Sequence, residues 1–466
     1  MAKRVEKDGI GEVMIEESAY FGINTARAAE NFRVSGIRVP LEVVRSLALI
    51  KLCYAEANLE FHLLPEKKAR AIAAACREVL QGSLDGQFPL DVFQTGSGTS
   101  TNMNVNEVVA NRAAELLGGK KGDRTLVHPN DDVNMGQSSN DVFPASIQLA
   151  LSLSLRDNLI PALGLLQGEL EKKAEEFGGV VKAGRTHMMD ALPVTLGQEF
   201  GGYASQASSS AGAITSRLGE LLELPLGGTA VGTGFGADPR VPRRALELLA
   251  SETGLRLSQK KNLFEGLASR DSLLEASGSI KRAAASMAKI AEDIRLMATG
   301  PSCGLGEIVI PSLQAGSSIM AGKVNPVMAE MVLMVAAQVA GFDAANTICA
   351  MGGRLELNTM MPLMGYNLLS ASEMVANAAR LFAVKCVAGI KAREDNCRRF
   401  AESSPSLVTA LQPLVGYDAA SEIYKEAISR GVPLKQVASE RNLMPEDELE
   451  KLFDLRKFTD PGGEGS

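Results

Sequence analysis

Between Arg270 and Met297 the apolar residues Leu273, Ala276, Ile280, Ala283, Met287, Ile290, Ile294 and Met297 follow one another in steps of three and four without a break. Such a run keeps one stripe on one side of a helix for about seven turns. A strand would reverse face at every residue, so this stretch must be a long helix whose seam packs against other helices. Its charges (Glu275, Lys281, Arg282, Lys289, Glu292, Asp293, Arg295) all fall off the seam, and Gly300-Pro301 ends it.

Two comparable segments follow, about 326–351 and 359–390, both rich in Ala, Met, Leu and Val, and both read as mostly buried helices. Ile147, Leu149, Leu151, Leu153 and Leu155 alternate with smaller or polar residues, the period of a strand. Helix is nevertheless expected there, because Leu and Ala outnumber β-branched residues and Leu159, Leu163, Leu166 and Leu170 continue in helical steps. Between these helices lie loops crowded with Gly, Ser, Thr and Asn: 95–106, 128–141, 184–190, 227–238 and 315–325. Shorter helices before about Asn140 and after about Arg393 suggest three domains, 1–139, 140–392 and 393–466, the last closing in a disordered-looking Pro-Gly-Gly-Glu-Gly-Ser tail.

Composition excludes several classes. The net charge is -7 and no Lys/Arg-dense stripe exists, which argues against nucleic acid. It also means that an anionic substrate must be drawn by local groups. The N-terminus MAKRVEKDGIGEVMIEE is charged where a secretory segment would be apolar, and no later window reads as apolar for the length of a membrane span, so a soluble cytoplasmic protein is expected. Six cysteines lie far apart without a C-x-x-C pair, and no histidine spacing suits a metal, so neither metal nor cofactor is expected.

The glycine loop LPLGGTAVGTGFG lacks the order of a dinucleotide fingerprint and reads as a tight turn or a site-lining loop. Of the three histidines, His62 reads as a partly buried helix-end residue, whereas His128 and His187 sit in polar loops where an imidazole can meet a ligand.

Taken together, TGSGTSTNMNVNEV, HPNDDVNMGQSSND, GRTHMMDALPVTLGQE, LGGTAVGTG and GSSIMAGKVNP resemble, in order and spacing, the fumarase/aspartase superfamily, and most closely its class II fumarases. The similarity covers nearly the whole chain. It implies an all-α, three-domain protomer whose central long-helix bundle forms a tetrameric core, with active sites shared among three subunits and a small dicarboxylate as substrate.

The chemistry of that family is elimination beside a carboxylate. The carbanion formed at C3 of malate must spread its charge onto the neighbouring carboxylate, so preorganised donors there supply most of the catalysis. Lys323 and Asn325 suit this, and the matching family positions, with Thr186, play the part. By resemblance the base is Ser317, whose hydroxyl needs backbone N–H groups, with or without Lys323, to lower its pKa. The leaving hydroxyl needs a general acid. His187, directly or through a water, is the candidate, with Glu330 inferred from the family to orient it. Ser97, Thr99, Ser138, Ser139, Asn140 and Ser318 match substrate-binding positions, and His128, Asn130 and Asp131 match a second anion site. Individually each is an ordinary loop residue; the ordered set is what gives them meaning.

GSGT and QSSND point to a hydratase, whereas GTST, FGINTARAAENF and LELNTMMP have the flavour of an aspartate ammonia-lyase, which stays as the alternative beside a non-catalytic homologue. One departure stands out: Ala321 occupies the place of the family's usual proline in GSSxMPxKxN, and a more mobile loop is expected from it.

Overall fold

The computed structural model describes residues 2–460 and is helical, its strands limited to five two-stranded ladders among those residues. The Pro-Gly-Gly-Glu-Gly-Ser tail lies outside the described residues. The chain forms two compact units. One takes residues up to Pro161 together with Gly212–Arg282 and Ala337–Ala376; the other takes Ala162–Ala211, Ala283–Ala336 and the segment from Asn377 onward.

The seam is the helix Asp271–Met297, and all eight of its stripe residues are buried. Each large apolar side chain so placed contributes roughly 1.5–3 kcal/mol, and the charges off the seam are left to pair at the surface, as Lys289 does with Asp293. The alternating leucines are helical too. Ser139–Ser154 continues through a π turn, Leu155–Leu159, into Ile160–Glu176, and Ile147, Leu149, Leu151 and Leu155 are all fully buried. A helix surrounded on every side needs no polar face, which is why its sequence period misleads.

The other two long segments are the helices Val327–Ala350 and Met361–Lys385. The first departs from expectation. Only 22% of its most apolar stretch is buried, and Met334 and Ile348 are more than 60% exposed. The expectation that no segment has the length and apolarity of a membrane span is also corrected: Ser139–Glu176 and Val327–Ala350 both do, by length and composition. Half of the first is buried within the protein, and the second carries Asp343, whose carboxylate takes a hydrogen bond from Ser277 Oγ at 2.8 Å and pairs with Lys281.

His62 is exposed rather than partly buried. It closes the helix Leu41–Glu60 in the left-handed conformation, φ 57°. The C-terminal helices Tyr417–Arg430, Leu434–Glu440 and Glu446–Leu452 gather their own core around Leu407, Leu411, Ile423, Val437 and Leu449. All six cysteines are free thiols, and Cys303 alone is exposed.

Candidate active site

The polar loops are more regular than their composition suggests. The 95–106 stretch holds only a tight turn before the helix Thr99–Leu116 begins. Gly98 is its left-handed N-cap, φ 75°, and a Cβ there would lie 2.2 Å from the Phe143 ring. Gly98 offers no side-chain cap; Gln94 Oε1 instead accepts from Thr101 N at 3.0 Å, which leaves the N–H groups of Thr99 and Ser100 to face a ligand.

The helix Ser139–Ser154 starts beside it. Ser138 caps that helix, accepting from Asn140 N at 3.2 Å, while Asp141 reaches back to Ser138 N at 3.0 Å. Ser97 Oγ and Thr99 Oγ1 are 2.8 Å apart, and Thr99 Oγ1 and Ser139 Oγ 2.7 Å. Two helix N-termini therefore meet at a chain of neutral hydroxyls. Their partial positive charge and the hydroxyl donors favour a carboxylate in a protein whose overall charge repels one.

Asn140 donates to Ala230 O at 2.8 Å, tying the glycine loop to this corner. Asp141, fully buried, accepts from Thr229 N at 2.9 Å and Gly227 N at 3.2 Å. Burial lifts its carboxyl to about 6, against those stabilising N–H groups. The glycine loop is thus a turn pinned on a buried carboxylate, as its composition suggests.

In HPND, the π turn Pro129–Val133 is capped by His128, whose Nδ1 accepts from Asn130 N at 3.2 Å and Asp131 N at 3.1 Å. An acceptor nitrogen carries no proton, so the 3.3 Å approach of Asp131 Oδ2 to Nδ1 is not an ion pair in this arrangement. The side chains of Asn130 and Asp131 point outward. Asp132, which sequence reasoning passed over, holds the turn by accepting from His128 N and from Lys68 Nζ, each at 2.7 Å.

The 184–190 stretch is not a loop but the tip of a hairpin, Val181–Thr186 paired with Met189–Thr195. Thr186 ends the first strand, and His187 and Met188 form the two-residue turn with φ 54° and 63°. A turn of this hand matches the twist of the flanking strands but is costly for residues other than glycine, on the order of 1–2 kcal/mol each. The tip is exposed, so that strain is held by what lies beneath it.

Beneath it is a buried ionic cluster. Lys182 Nζ lies 2.8 Å from Glu199 Oε1, and Arg185 Nη1 lies 2.8 Å from Glu307 Oε1. Lys182 also faces Glu307 Oε2 at 3.1 Å, an ion pair rather than a well-directed hydrogen bond. In an ideal strand residues 182 and 185 would point to opposite faces; the irregularity between Ala183 and Arg185 brings both onto one carboxylate. Burial raises the Glu199 carboxyl although Lys182 opposes it. The helix Glu394–Ser403 packs on the first strand, and Ser406 Oγ donates to Asp190 O at 2.8 Å.

Nine residues after Glu307 comes the 316–325 loop. Gly316 N donates to Lys323 O at 2.9 Å, and Asn325 Nδ2 donates to Gly316 O at 2.7 Å, so the loop is a closed ring of backbone. A Cβ on Gly316 would sit 2.3 Å from that Lys323 oxygen. Ser317 Oγ accepts from Ile319 N at 3.2 Å and Met320 N at 3.0 Å. Lys323 and Ser318 are exposed, as is Glu330 in the first turn of the helix Val327–Ala350. Among the described residues no hydrogen bond joins His187 to Glu330, or either of them to Ser317.

Ala321 is the second residue of a turn in which Lys323 N donates to Met320 O at 3.3 Å and Gly322 has φ 82°. That is a type II turn, which favours proline in this place. Ala321→Pro is therefore expected to be accommodated and to stabilise the loop by about 0.4–1 kcal/mol. Slower proteolysis within 316–325 would show this; faster cleavage would contradict it.

Residues 11–341 match a lyase family model, and residues 407–460 match a model of the fumarase C C-terminus. The chain is 46% identical over 461 residues to a Bradyrhizobium diazoefficiens protein named fumarate hydratase class II 2, covering 99% of this chain and 98% of that one. It is 47% identical over 457 residues to a Nitrosomonas europaea fumarate hydratase class II, covering 98% and 99%. Among solved structures, a fumarate lyase:delta crystallin from Brucella melitensis bound to cobalt superposes with a TM-score of 0.96 at 43% identity, covering 99% of this chain and all of that one. A class II fumarase from Schistosoma mansoni does so at 0.95 and 37%, with the same coverage.

Proposed function

The chain belongs to the lyase family that includes the class II fumarate hydratases, and from that premise we propose how its residues act. The reaction is the reversible interconversion of L-malate with fumarate and water, a hydro-lyase step. Ser317 removes the C3 proton, and the charge passes onto the adjacent carboxylate as an aci-carboxylate. Lys323, Asn325 and Thr186 stabilise that group, where charge develops only as the reaction proceeds. From the opposite face His187 assists loss of hydroxyl, oriented by Glu330. Ser97, Thr99, Ser138, Ser139, Asn140 and Ser318 hold the dicarboxylate, and His128, Asn130 and Asp131 form a second anion site.

The observation that carries the role of Ser317 is its oxygen receiving two backbone N–H groups. A hydroxyl so held is stabilised when it becomes an alkoxide, the condition a serine must meet to act as a base. His187 is set on a strained hairpin tip with its imidazole exposed, where it can reach a bound ligand.

That no hydrogen bond joins His187 to Glu330 within one chain, among the described residues, fits active sites completed by other subunits. A homotetramer is part of the proposal, as is the division into 1–139, 140–392 and 393–466. The helix Val327–Ala350 supports it: 24 residues without a polar face, left open in a single protomer, need other helices to cover them. Sedimentation at four protomer masses is the expected result, and a stable monomer would contradict it. A cytoplasmic enzyme without membrane or nucleic-acid partners completes the reading.

Purified protein incubated separately with L-malate and L-aspartate tests the activity through the ultraviolet absorbance of fumarate. Fumarate from malate alone is expected; fumarate from aspartate alone would overturn the assignment.

A further inference from the structure

We propose that Lys51 is a positioning residue for the dicarboxylate site, a buried amino group whose donated hydrogen bonds lock the turn from Asn134 to Gln137 and so set Ser138, Ser139 and Asn140 in place. The inference rests on those three residues holding substrate, as read above.

Lys51 lies in the middle of the helix Leu41–Glu60, within the apolar run LALIKLCYAE, and is fully buried. An ammonium in such a place costs several kcal/mol of lost hydration unless it is bonded. Its two bonding partners are neutral and lie three residues apart: Asn134 Oδ1 at 3.1 Å and Gln137 Oε1 at 3.2 Å.

Those two amides bracket the four-residue turn that links the π turn Pro129–Val133 to the helix Ser139–Ser154. Around the turn, Asn134 Nδ2 donates to Gln137 O at 3.1 Å, Gln137 Nε2 to Val133 O at 3.0 Å, and Asn102 Nδ2 to Asn134 Oδ1 at 3.2 Å. Each amide thus has its oxygen committed to Lys51 and its nitrogen to backbone, which fixes both side chains and the turn with them.

The residue that follows Gln137 is the Ser138 cap, and the next is Ser139, whose Oγ meets Thr99. A shift of the turn is therefore transmitted directly to the hydroxyl chain. Burial lowers Lys51 to about 7, and the amino group donates to both amide oxygens whether or not it is protonated.

The test compares wild type with Lys51→Met, which keeps the length of the side chain and removes its charge and donors. Affinity for succinate, an unreactive dicarboxylate, is read by calorimetry, and KM and kcat for L-malate by fumarate absorbance. Lys51→Met is expected to weaken succinate binding and raise KM by roughly 10- to 100-fold, with kcat within about threefold of wild type. A role in stability alone would lower the thermal midpoint and leave succinate affinity unchanged, so unchanged affinity in folded Lys51→Met overturns the proposal.

If Lys51→Met does not fold, Gln137→Met removes one of the two acceptors and is expected to raise KM several-fold in the same direction. Normal KM in that variant overturns the proposal as well. Wild type that binds succinate without turning over malate overturns the hydratase reading alone; wild type that neither binds succinate nor turns over malate overturns both.

Discussion

Ser317→Ala is expected to lower turnover of L-malate by roughly 10²- to 10⁴-fold, the range for loss of a positioned acid–base group. KM should stay near that of wild type. A base acts only as the C3–H bond breaks, so its loss falls on kcat rather than on ground-state binding. The substitution is structurally mild. The N–H groups of Ile319 and Met320 that Ser317 receives lie on exposed residues, where water can replace the oxygen. The loop's closure depends on Gly316, Lys323 and Asn325, which remain. Unchanged mass in sedimentation together with collapsed kcat identifies the base; near-normal turnover in Ser317→Ala removes it.

Glu307→Ala is expected to have the largest effect on stability. Its carboxylate, fully buried, faces Arg185 at 2.8 Å and Lys182 at 3.1 Å. With Glu199 the four groups balance, two positive and two negative. Removing one carboxylate leaves a buried excess of positive charge, a change that costs roughly 3–5 kcal/mol when a partner of a buried pair is deleted.

The loss should not stop at stability, because Lys182 and Arg185 belong to the strand that presents Thr186 and His187. Freed of Glu307, the irregular strand has less to hold its strained tip. Glu307→Ala is therefore expected both to lower the denaturation midpoint and to depress kcat, whereas Glu307→Gln keeps the shape and one acceptor and falls between. An unchanged midpoint in Glu307→Ala would contradict the account of the cluster.

How much of this was legible in the residues varies from element to element. The seam from Leu273 to Met297 was, because eight apolar residues in one register admit a single reading and all eight are buried. The helix through Ile147 and Leu155 was legible only by residue type and by the helical steps that continue from Leu159 to Leu170, since burial on all sides erases its own periodicity. The exposure of Val327–Ala350 was not legible: a helix apolar all round looks the same whether its own chain or another covers it.

In the site, the ordered loops led to Ser317, His187 and the hydroxyls at 97, 99, 138 and 139. The regular structure under them went unread, because GRTHMMDA has the composition of a loop while its strand character comes from pairing with 189–195. The supporting charges were missed for a related reason. Lys51 stands alone in an apolar run, and that isolation was a signal. Glu307, in GLGEIVIP, has no such mark, and its partners lie more than a hundred residues away.

The most direct measurement of the central claim is hydration of fumarate in deuterium oxide, with the product examined by proton NMR. If Ser317 delivers a proton to one face while water adds with the help of His187 from the other, the malate formed carries one deuteron at C3, anti to the new hydroxyl. That single diastereomer is the expected result. A mixture of C3 diastereomers, or fumarate that yields no malate, would contradict it.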